Sequence, residues 1–300
     1  MDRRRGGSWP VLSLVAVVLL GMLPGCSTGG AARPPTATPT AGPTATAPLT
    51  AVQDIAVRVA GRRIAGECSG SAPSGTPTVV LDSGQGSDRS QLAVLRDALV
   101  KRTRVCSYDR AGSGASDAAT KPRPITDLVS DLHGWLARGG VPGPYLLVGQ
   151  SQGGMDAVLF AVTHPSSTAG FVAMNPGAPC SLYLRTVKKV ETRAELADEV
   201  SNCEGQNDEG VDLRPADAVL RARLPKAMPF AVLYGFACNG DAFCERVRPV
   251  ESAGEAALAR IGAGGRFIDV AGADHEIYLT HLAAVLRAID QVLAASTRKD

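Results

Sequence analysis

Short apolar segments alternate with longer amphipathic ones from about residue 78 onward, and this order constrains the fold more than any other feature of the sequence. Three of the short segments, 78–82, 145–149 and 230–234, are almost continuously apolar, as expected of strands that are buried on both faces. Strands that alternate with helices form a mostly parallel sheet covered by helices on both sides. The sequence therefore predicts an α/β domain.

The same pattern gives the approximate bounds of the elements. The predicted strands are 55–59, 63–67, 78–82, 104–108, 145–149, 170–174, 230–234 and 266–270. The predicted helices are 90–101, 125–137, 152–162, 216–224, 251–261 and 279–294. The first two strands are separated only by a short turn at Gly61, so they should form a hairpin. Residues 179–228 interrupt the alternation between the sixth and seventh strands, which predicts a small cap insertion there.

The first 25 residues are typical of an export signal. A positive start at residues 3–5 precedes an apolar run at 11–23, which is short for a membrane-spanning helix of about 20 residues. The run ends in Leu-Pro-Gly-Cys, which resembles the lipobox of bacterial lipoproteins. We therefore expect Cys26 to carry a lipid that anchors the chain to the outer face of the cell membrane. An ordinary secretory signal, which would release the protein, is the alternative.

Residues 26–50 are rich in Ala, Pro and Thr and contain a single charged residue, Arg33. Such a composition cannot form a packed core, so this segment should be an extended linker. The domain itself should occupy residues 51–300. The formal net charge is +2 and only 4% of residues are aromatic. These values give no electrostatic reason to expect a nucleic-acid partner.

Six cysteines remain after Cys26, and an even number in an exported chain suggests disulfide bonds. Six cysteines can pair in about 15 ways, and their spacing alone does not choose among them. Zinc binding is the competing interpretation. The chain has no C-x-x-C pair and no histidines at zinc-finger spacing, so the sequence favours disulfides and predicts no metal site.

Residues 149–153, Gly-Gln-Ser-Gln-Gly, match the G-x-S-x-G pattern of a nucleophile at a sharp turn between a strand and a helix. The pattern alone has low specificity, because the chain contains it again at residues 25–29. Only Ser151 follows an apolar strand and precedes a helical segment. Glycines two residues on either side would allow the close packing that such a turn needs. Ser151 is therefore the predicted nucleophile.

Together with the strand order, this motif resembles the α/β-hydrolases over about residues 54–295. The resemblance implies a mostly parallel eight-stranded sheet with a cap between strands 6 and 7. It also implies an oxyanion hole made by two backbone N–H groups, those of Gln85 after the third strand and Gln152 after the nucleophile. Residues 109–116 are similar to the family's D-x-x-G-x-G-x-S loop, which implies a structural role.

The same resemblance identifies the general base and its partner by chain order, which in this family is Ser, acid, His. His275 follows the last strand, where the family has its catalytic histidine, and His281 is the alternative. The acid usually follows the seventh strand. This implies Asp241 there, with Glu245 as the alternative.

Placing the cysteines on this fold favours three disulfide bonds. The resemblance puts Cys68 and Cys106 on neighbouring strands. The bonds that this placement favours are Cys68–Cys106, Cys180–Cys203 and Cys238–Cys244. The last of these would hold the loop that carries Asp241 and direct its carboxylate towards His275.

The implied activity is hydrolysis of a small carboxylic ester or acyl substrate through an acyl-enzyme at Ser151, with no cofactor. A serine aminopeptidase of the same fold is one alternative. It would need an anchor for a charged terminus, which glutamates between 191 and 204 could supply. A non-catalytic envelope binding protein is the other. The fold hosts many reactions, so the substrate stays open.

Overall fold

The computed structural model describes residues 51–297, in which the eight predicted strands form one sheet. Its order is β1-β2-β4-β3-β5-β6-β7-β8. The strands are β1 Gln53–Val59, β2 Arg62–Ser69, β3 Thr78–Asp82, β4 Val105–Tyr108, β5 Tyr145–Gln150, β6 Thr168–Met174, β7 Phe230–Tyr234 and β8 Gly265–Asp269. Strands β1 and β2 form an antiparallel hairpin, and β2 also pairs antiparallel with β4. The other pairings in this sheet are parallel. The predicted mostly parallel sheet is confirmed.

Helices cover both faces of the sheet. They are α1 Ala93–Leu99, α2 Ile125–Arg138, α3 Gln152–Thr163, α4 Cys180–Val187, α5 Arg193–Cys203, α6 Ala242–Leu258, α7 Ile277–Thr280 and α8 Leu282–Ser296. Short 3₁₀ helices occupy Arg89–Leu92, Pro165–Ser167 and Arg214–Arg221, and a two-residue strand pair joins Arg123–Pro124 to Val211–Asp212.

Each central strand buries its side chains in two separate apolar cores. In β5, Leu147 contributes to the core beneath α2 and α3, whereas Leu146 and Val148 contribute to the core beneath α1 and α8. All three side chains are fully buried. Because β5 is buried on both faces, its sequence is a continuous apolar run.

Residues 179–228, the predicted insertion, contain α4, α5 and the third 3₁₀ helix, and α4 packs against α6. The predicted helix 216–224 is that 3₁₀ helix, which ends at Arg221. The predicted helix 251–261 in fact begins at Ala242. Pro249 is normally unfavourable inside a helix, so the sequence pattern did not predict that the helix extends through it.

The structure pairs the six cysteines of the domain as the sequence favours. Cys68 and Cys106 face each other across β2 and β4, Cys180 pairs with Cys203 within the insertion, and Cys238 pairs with Cys244. The predicted signal, Cys26 and the linker lie outside the described residues. Within residues 51–297, no helix has the length and hydrophobicity to span a membrane.

Candidate active site

Ser151 lies at the tight turn between β5 and α3. Its backbone has φ 53° and ψ −120°, a conformation that side-chain-bearing residues rarely adopt. The turn is fixed because the Ser151 N–H donates to the carbonyl of Met174 on the neighbouring strand at 2.8 Å. A strained backbone held by its surroundings is a frequent property of functional residues.

The flanking glycines show why this turn needs the G-x-S-x-G spacing. A Cβ atom on Gly149 would lie 2.0 Å from the carbonyl oxygen of Gly153. A Cβ on Gly153 would lie 2.3 Å from the carbonyl oxygen of Asp82 at the end of β3. Both contacts are with backbone atoms, so neither could be relieved by moving a side chain. The glycines allow the strand, the turn and α3 to approach closely.

Gln85 and Gln152 both line the cavity in front of Ser151. In the described part of the chain, neither backbone N–H donates to a protein acceptor. The N–H groups on either side of Gln85 are engaged: Gly84 donates to Gln91 Oε1 at 2.6 Å and Gly86 to Glu209 Oε1 at 2.8 Å. Two fixed, unengaged N–H groups beside a serine are suited to stabilise an oxyanion.

Arg110 holds the loop that carries Gln85. Its buried guanidinium donates to the carbonyl oxygens of Ser83 at 2.6 Å and Gly84 at 2.5 Å, and to Asp82 Oδ1 at 2.7 Å. It also donates to both carboxylate oxygens of Glu209, which belongs to the insertion. The sequence did not reveal this ion-pair network, although a carboxylate at the last position of an apolar strand, Asp82 of β3, could have indicated it.

Residues 109–116 support the same loop, as the sequence resemblance implied. The Asp109 carboxylate accepts from the backbone N–H groups of Arg89 and Ala115, each at 2.9 Å. The Ser116 hydroxyl donates to the Asp109 carbonyl oxygen at 2.7 Å. These side chains make structural contacts and do not line the cavity.

His275 follows β8 and lines the same cavity as Ser151. Its backbone is held by Asn175, which directly follows β6 and has φ 44°. Asn175 Nδ2 donates to the His275 carbonyl oxygen at 2.8 Å and to the Gly235 carbonyl oxygen at 2.9 Å. Its Oδ1 accepts from the Gly235 N–H at 2.9 Å. One side chain therefore connects the ends of β6 and β7 to the histidine loop.

Burial lowers the pKa of the His275 imidazole below its usual value of 6.5, and the charge of Glu276 only partly opposes this. The ring packs edge-on against Phe236, with 6.1 Å between ring centres. Within residues 51–297 the ring forms no hydrogen bond with a carboxylate or with Ser151. A neutral imidazole near a serine has the protonation state that a general base requires.

The structure does not bring Asp241 to His275, which corrects the sequence-based prediction. Asp241 is exposed and forms the N-cap of α6, where its Oδ1 accepts from the Cys244 N–H at 2.7 Å. Capping the first turn of a helix is a favourable role for a carboxylate and here takes precedence. The Cys238–Cys244 bond closes this capping turn and does not direct Asp241 towards His275. The alternative Glu245 is also exposed, in the first turn of α6.

The other histidines lie away from the cavity. His281 is half-buried at the junction of α7 and α8, with its Nδ1 3.0 Å from the Thr280 hydroxyl. His133 and His164 stack on each other with 4.1 Å between ring centres. Neither of these positions faces Ser151, so His275 is the histidine that the described cavity contains.

The cavity has a volume of about 260 Å³, which is small for a ligand site. Its floor is the turn at Ser151, and its walls come from the insertion and from α6. Three of the wall residues are glutamates: Glu199 of α5, and Glu251 and Glu255 of α6. Glu251 and Glu255 were missed as site residues, because the sequence pattern gave them only as part of a helix after the insertion. Among the described residues, no cluster of three or more His, Cys, Asp or Glu side chains could hold a metal ion.

Comparison with known proteins agrees with this architecture. Residues 80–197 match the family model described as alpha/beta hydrolase fold. RutD of Azorhizobium caulinodans, named provisionally as a carbamate hydrolase, is 30% identical over 124 residues, or 41% of this chain and 46% of that protein. YbdG of Bacillus subtilis, an uncharacterised protein, is 29% identical over 35% of this chain and 33% of its own length. The chain thus spans under half the length of these two relatives.

Two solved structures share the fold at low sequence identity. A thermophilic esterase from Thermogutta terrifontis has a TM-score of 0.59 and 21% identity, covering 82% of this chain and all of that one. The enol-lactonase from Burkholderia xenovorans has a TM-score of 0.57 and 21% identity, covering 80% and 99%. The family-model match over residues 80–197 and the likeness to these solved structures show that this chain has the α/β-hydrolase fold.

Proposed function

We propose that the protein is a serine hydrolase that cleaves small carboxylic esters through an acyl-enzyme at Ser151. The observation that carries the proposal is the backbone of Ser151, with φ 53° at a strand-to-helix turn, beside two N–H groups that have no acceptor within residues 51–297. His275 lines the same cavity with a lowered pKa. This combination supplies a nucleophile, an oxyanion site and a base.

In the proposed reaction, the Ser151 Oγ attacks the ester carbonyl carbon while His275 accepts the hydroxyl proton. The backbone N–H groups of Gln85 and Gln152 stabilise the oxyanion of the tetrahedral intermediate. Collapse of the intermediate breaks the C–O bond, and His275 returns the proton to the leaving alcohol. Water then attacks the acyl-enzyme, with His275 again as the base, and releases the acid and free Ser151.

The proposed mechanism assigns no carboxylate as the triad acid. Asn175 holds the His275 backbone through a hydrogen bond at 2.8 Å, which limits how far the imidazole can move. In serine hydrolases the acid orients the imidazole and stabilises its positive charge. Backbone positioning could supply the orientation but not the charge stabilisation. We therefore expect a lower turnover than an intact triad would give.

Activity-based labelling tests this proposal. Wild-type protein should react covalently with a fluorophosphonate probe at Ser151 and hydrolyse p-nitrophenyl acetate. Ser151→Ala should lose both properties while keeping its circular dichroism spectrum. Ser130→Ala, which alters an exposed serine on α2, is the matched control and should keep both. A wild-type protein that is not labelled would refute the proposed function.

We also propose that the protein is exported and anchored through a lipid on Cys26. Support comes from the signal-like first 25 residues and from three disulfide bonds in the domain, which form in oxidising compartments. Growth of a bacterial expression host with an alkyne fatty acid should label the wild-type chain. Cys26→Ser should abolish labelling and release the protein from the membrane fraction, and equal labelling of both would contradict the anchor.

A further inference from the structure

Glu199, Glu251 and Glu255 form what we call the acidic wall of the cavity. All three line the cavity that contains Ser151 and His275. Glu251 and Glu255 are four residues apart on α6, so they occupy the same face of the helix. Glu199 approaches from α5 in the insertion. The wall therefore joins the insertion to the main domain beside the proposed nucleophile.

Glu255 is the most constrained member of the acidic wall. Only 3% of its surface is exposed. Its Oε1 accepts from the Gly177 N–H at 3.1 Å, whereas its buried Oε2 has no partner among the described residues. The buried Oε2 of Glu251 also lacks a partner there. Carboxylate oxygens that are buried without a donor destabilise a fold, so both positions are suited to a ligand that brings a donor.

The cavity contains no positive side chain to balance this wall, since neither Lys nor Arg is among its described lining residues. Two arginines of α6 are engaged elsewhere. Arg246 is 3.3 Å from the carboxylate of Glu195. Arg248 donates to the Phe236 carbonyl oxygen at 3.0 Å and lies 3.6 Å from Asp269. The negative potential of the wall is therefore not neutralised from within the cavity.

The pKa values of the three carboxyls reflect this excess of negative groups. Burial, followed by the charge of Glu199, raises the pKa of Glu251 to about 7. Burial also raises the pKa of Glu199, and raises that of Glu255 well above its usual value. Near neutral pH Glu251 is therefore partly protonated, and a bound cation would favour its ionised form.

We propose that the acidic wall is a subsite for a protonated amine or quaternary ammonium group carried by the substrate, a proposal that rests on the acyl transfer proposed for Ser151. The aromatic side chains of Tyr183 and Phe236 line the same cavity, and aromatic ring faces favour organic cations. The carboxyls do not converge closely enough to hold a metal ion. The substrate class is thus a small amine-bearing ester, with the amine on either the acyl or the alcohol side.

Two pairs of substrates distinguish the acyl side from the alcohol side. Methyl esters of ω-amino acids, compared with methyl alkanoates of equal length, place the cation on the acyl group. Acetylcholine, compared with 3,3-dimethylbutyl acetate, places it on the alcohol. Hydrolysis is followed by proton release at pH 8, where Glu251 is mostly ionised. We expect kcat/KM of the cationic member to exceed that of its neutral partner by roughly tenfold or more in at least one pair.

Conservative variants test the wall directly. Glu251→Gln and Glu255→Gln should each reduce the ratio of cationic to neutral kcat/KM roughly tenfold, mainly through KM, because the amide keeps the shape but cannot ionise to pair with the cation. Glu245→Gln makes the same change at an exposed position on the same helix and should leave the ratio unchanged. A second measurement needs no variant: n-pentylammonium should slow fluorophosphonate labelling of the wild type more than 1-pentanol does.

The outcomes separate the two proposals. Labelling at Ser151 with equal turnover of cationic and neutral partners, and equal protection by pentylammonium and pentanol, would overturn the ammonium subsite and leave the hydrolase proposal intact. Absence of labelling would overturn both. A preference confined to one substrate pair would support the subsite and show which side of the ester carries the amine.

Discussion

Removing the side chain of Asn175 should damage both stability and catalysis, because this residue connects three segments around His275. The Asn175 amide makes three hydrogen bonds of 2.8–2.9 Å, two with the backbone of Gly235 and one with the carbonyl oxygen of His275. Asn175 is itself 3% exposed. In Asn175→Ala, the backbone groups of Gly235 and His275 would lose these partners in a place that water reaches poorly.

The expected loss of stability in Asn175→Ala follows from the number of hydrogen bonds removed. A buried backbone group that loses its partner costs about 1–3 kcal/mol, and the half-buried His275 carbonyl can recover part of its loss through water. The free energy of unfolding should therefore fall by about 2–5 kcal/mol. The histidine loop would also lose its attachment to β6. A displacement of about 1 Å at a catalytic group can lower the rate roughly 100-fold, so kcat should fall by this order while KM changes little.

Urea unfolding and ester hydrolysis by the same preparations measure the two effects. The control is Asn239→Ala. Asn239 also has positive φ, 50° against 44° at Asn175, but its side chain is exposed and forms no described hydrogen bond. The control therefore reproduces the cost of placing Ala in this backbone conformation. If Asn175→Ala were as stable and as active as Asn239→Ala, the role assigned to the hydrogen bonds would be wrong.

Two further predictions follow from the site. Gly149→Ala would place a Cβ 2.0 Å from the Gly153 carbonyl oxygen, so it should yield little folded protein. In Gly177→Ala a Cβ would meet no atom within 4 Å, so that variant should fold and lose only about 1–2 kcal/mol through its φ of 73°. Similar soluble yields and melting temperatures for the two variants would contradict the packing argument. The acid limb of kcat/KM should have its midpoint below pH 6.5. Burial lowers the pKa of His275, so the neutral base survives to lower pH and is lost as the pH falls through that value; a midpoint at or above 6.5 would refute this assignment.

The sheet was predictable because its signal is local. All eight strands were found within a few residues of their observed bounds, and β3 and β7 were found at both ends. Strands buried on both faces must be apolar at nearly every position, whatever packs on them. The start of α6 was missed because the local sequence there was misleading. Its N-cap Asp241 looked like a triad acid placed by family resemblance, and Pro249 hid the continuity of the helix.

The environment of the site was less predictable, because it depends on contacts between distant parts of the chain. Glu209 and Arg110 are 99 residues apart in sequence, and Asn175 and His275 are 100 apart. Nothing in the local sequence shows that Glu251 and Glu255 face Ser151, since a helix of mixed polar and apolar residues does not show which element covers it. The nucleophile and the oxyanion-hole candidates belong to short segments with strong backbone requirements, so their positions in the sequence were informative.

The contact between Arg110 and Glu209 has a consequence for how such a protein could be altered. Glu209 is a residue of the insertion, yet it accepts from the Gly86 N–H, next to the Gln85 N–H of the proposed oxyanion hole. A protein engineer could exchange an insertion of this kind between related proteins in order to change the substrate range. Here a transplanted insertion without a carboxylate at this position would leave the Arg110 guanidinium partly unbalanced and the Gln85 loop less restrained. If the proposed activity holds, we expect such a graft to change turnover together with selectivity.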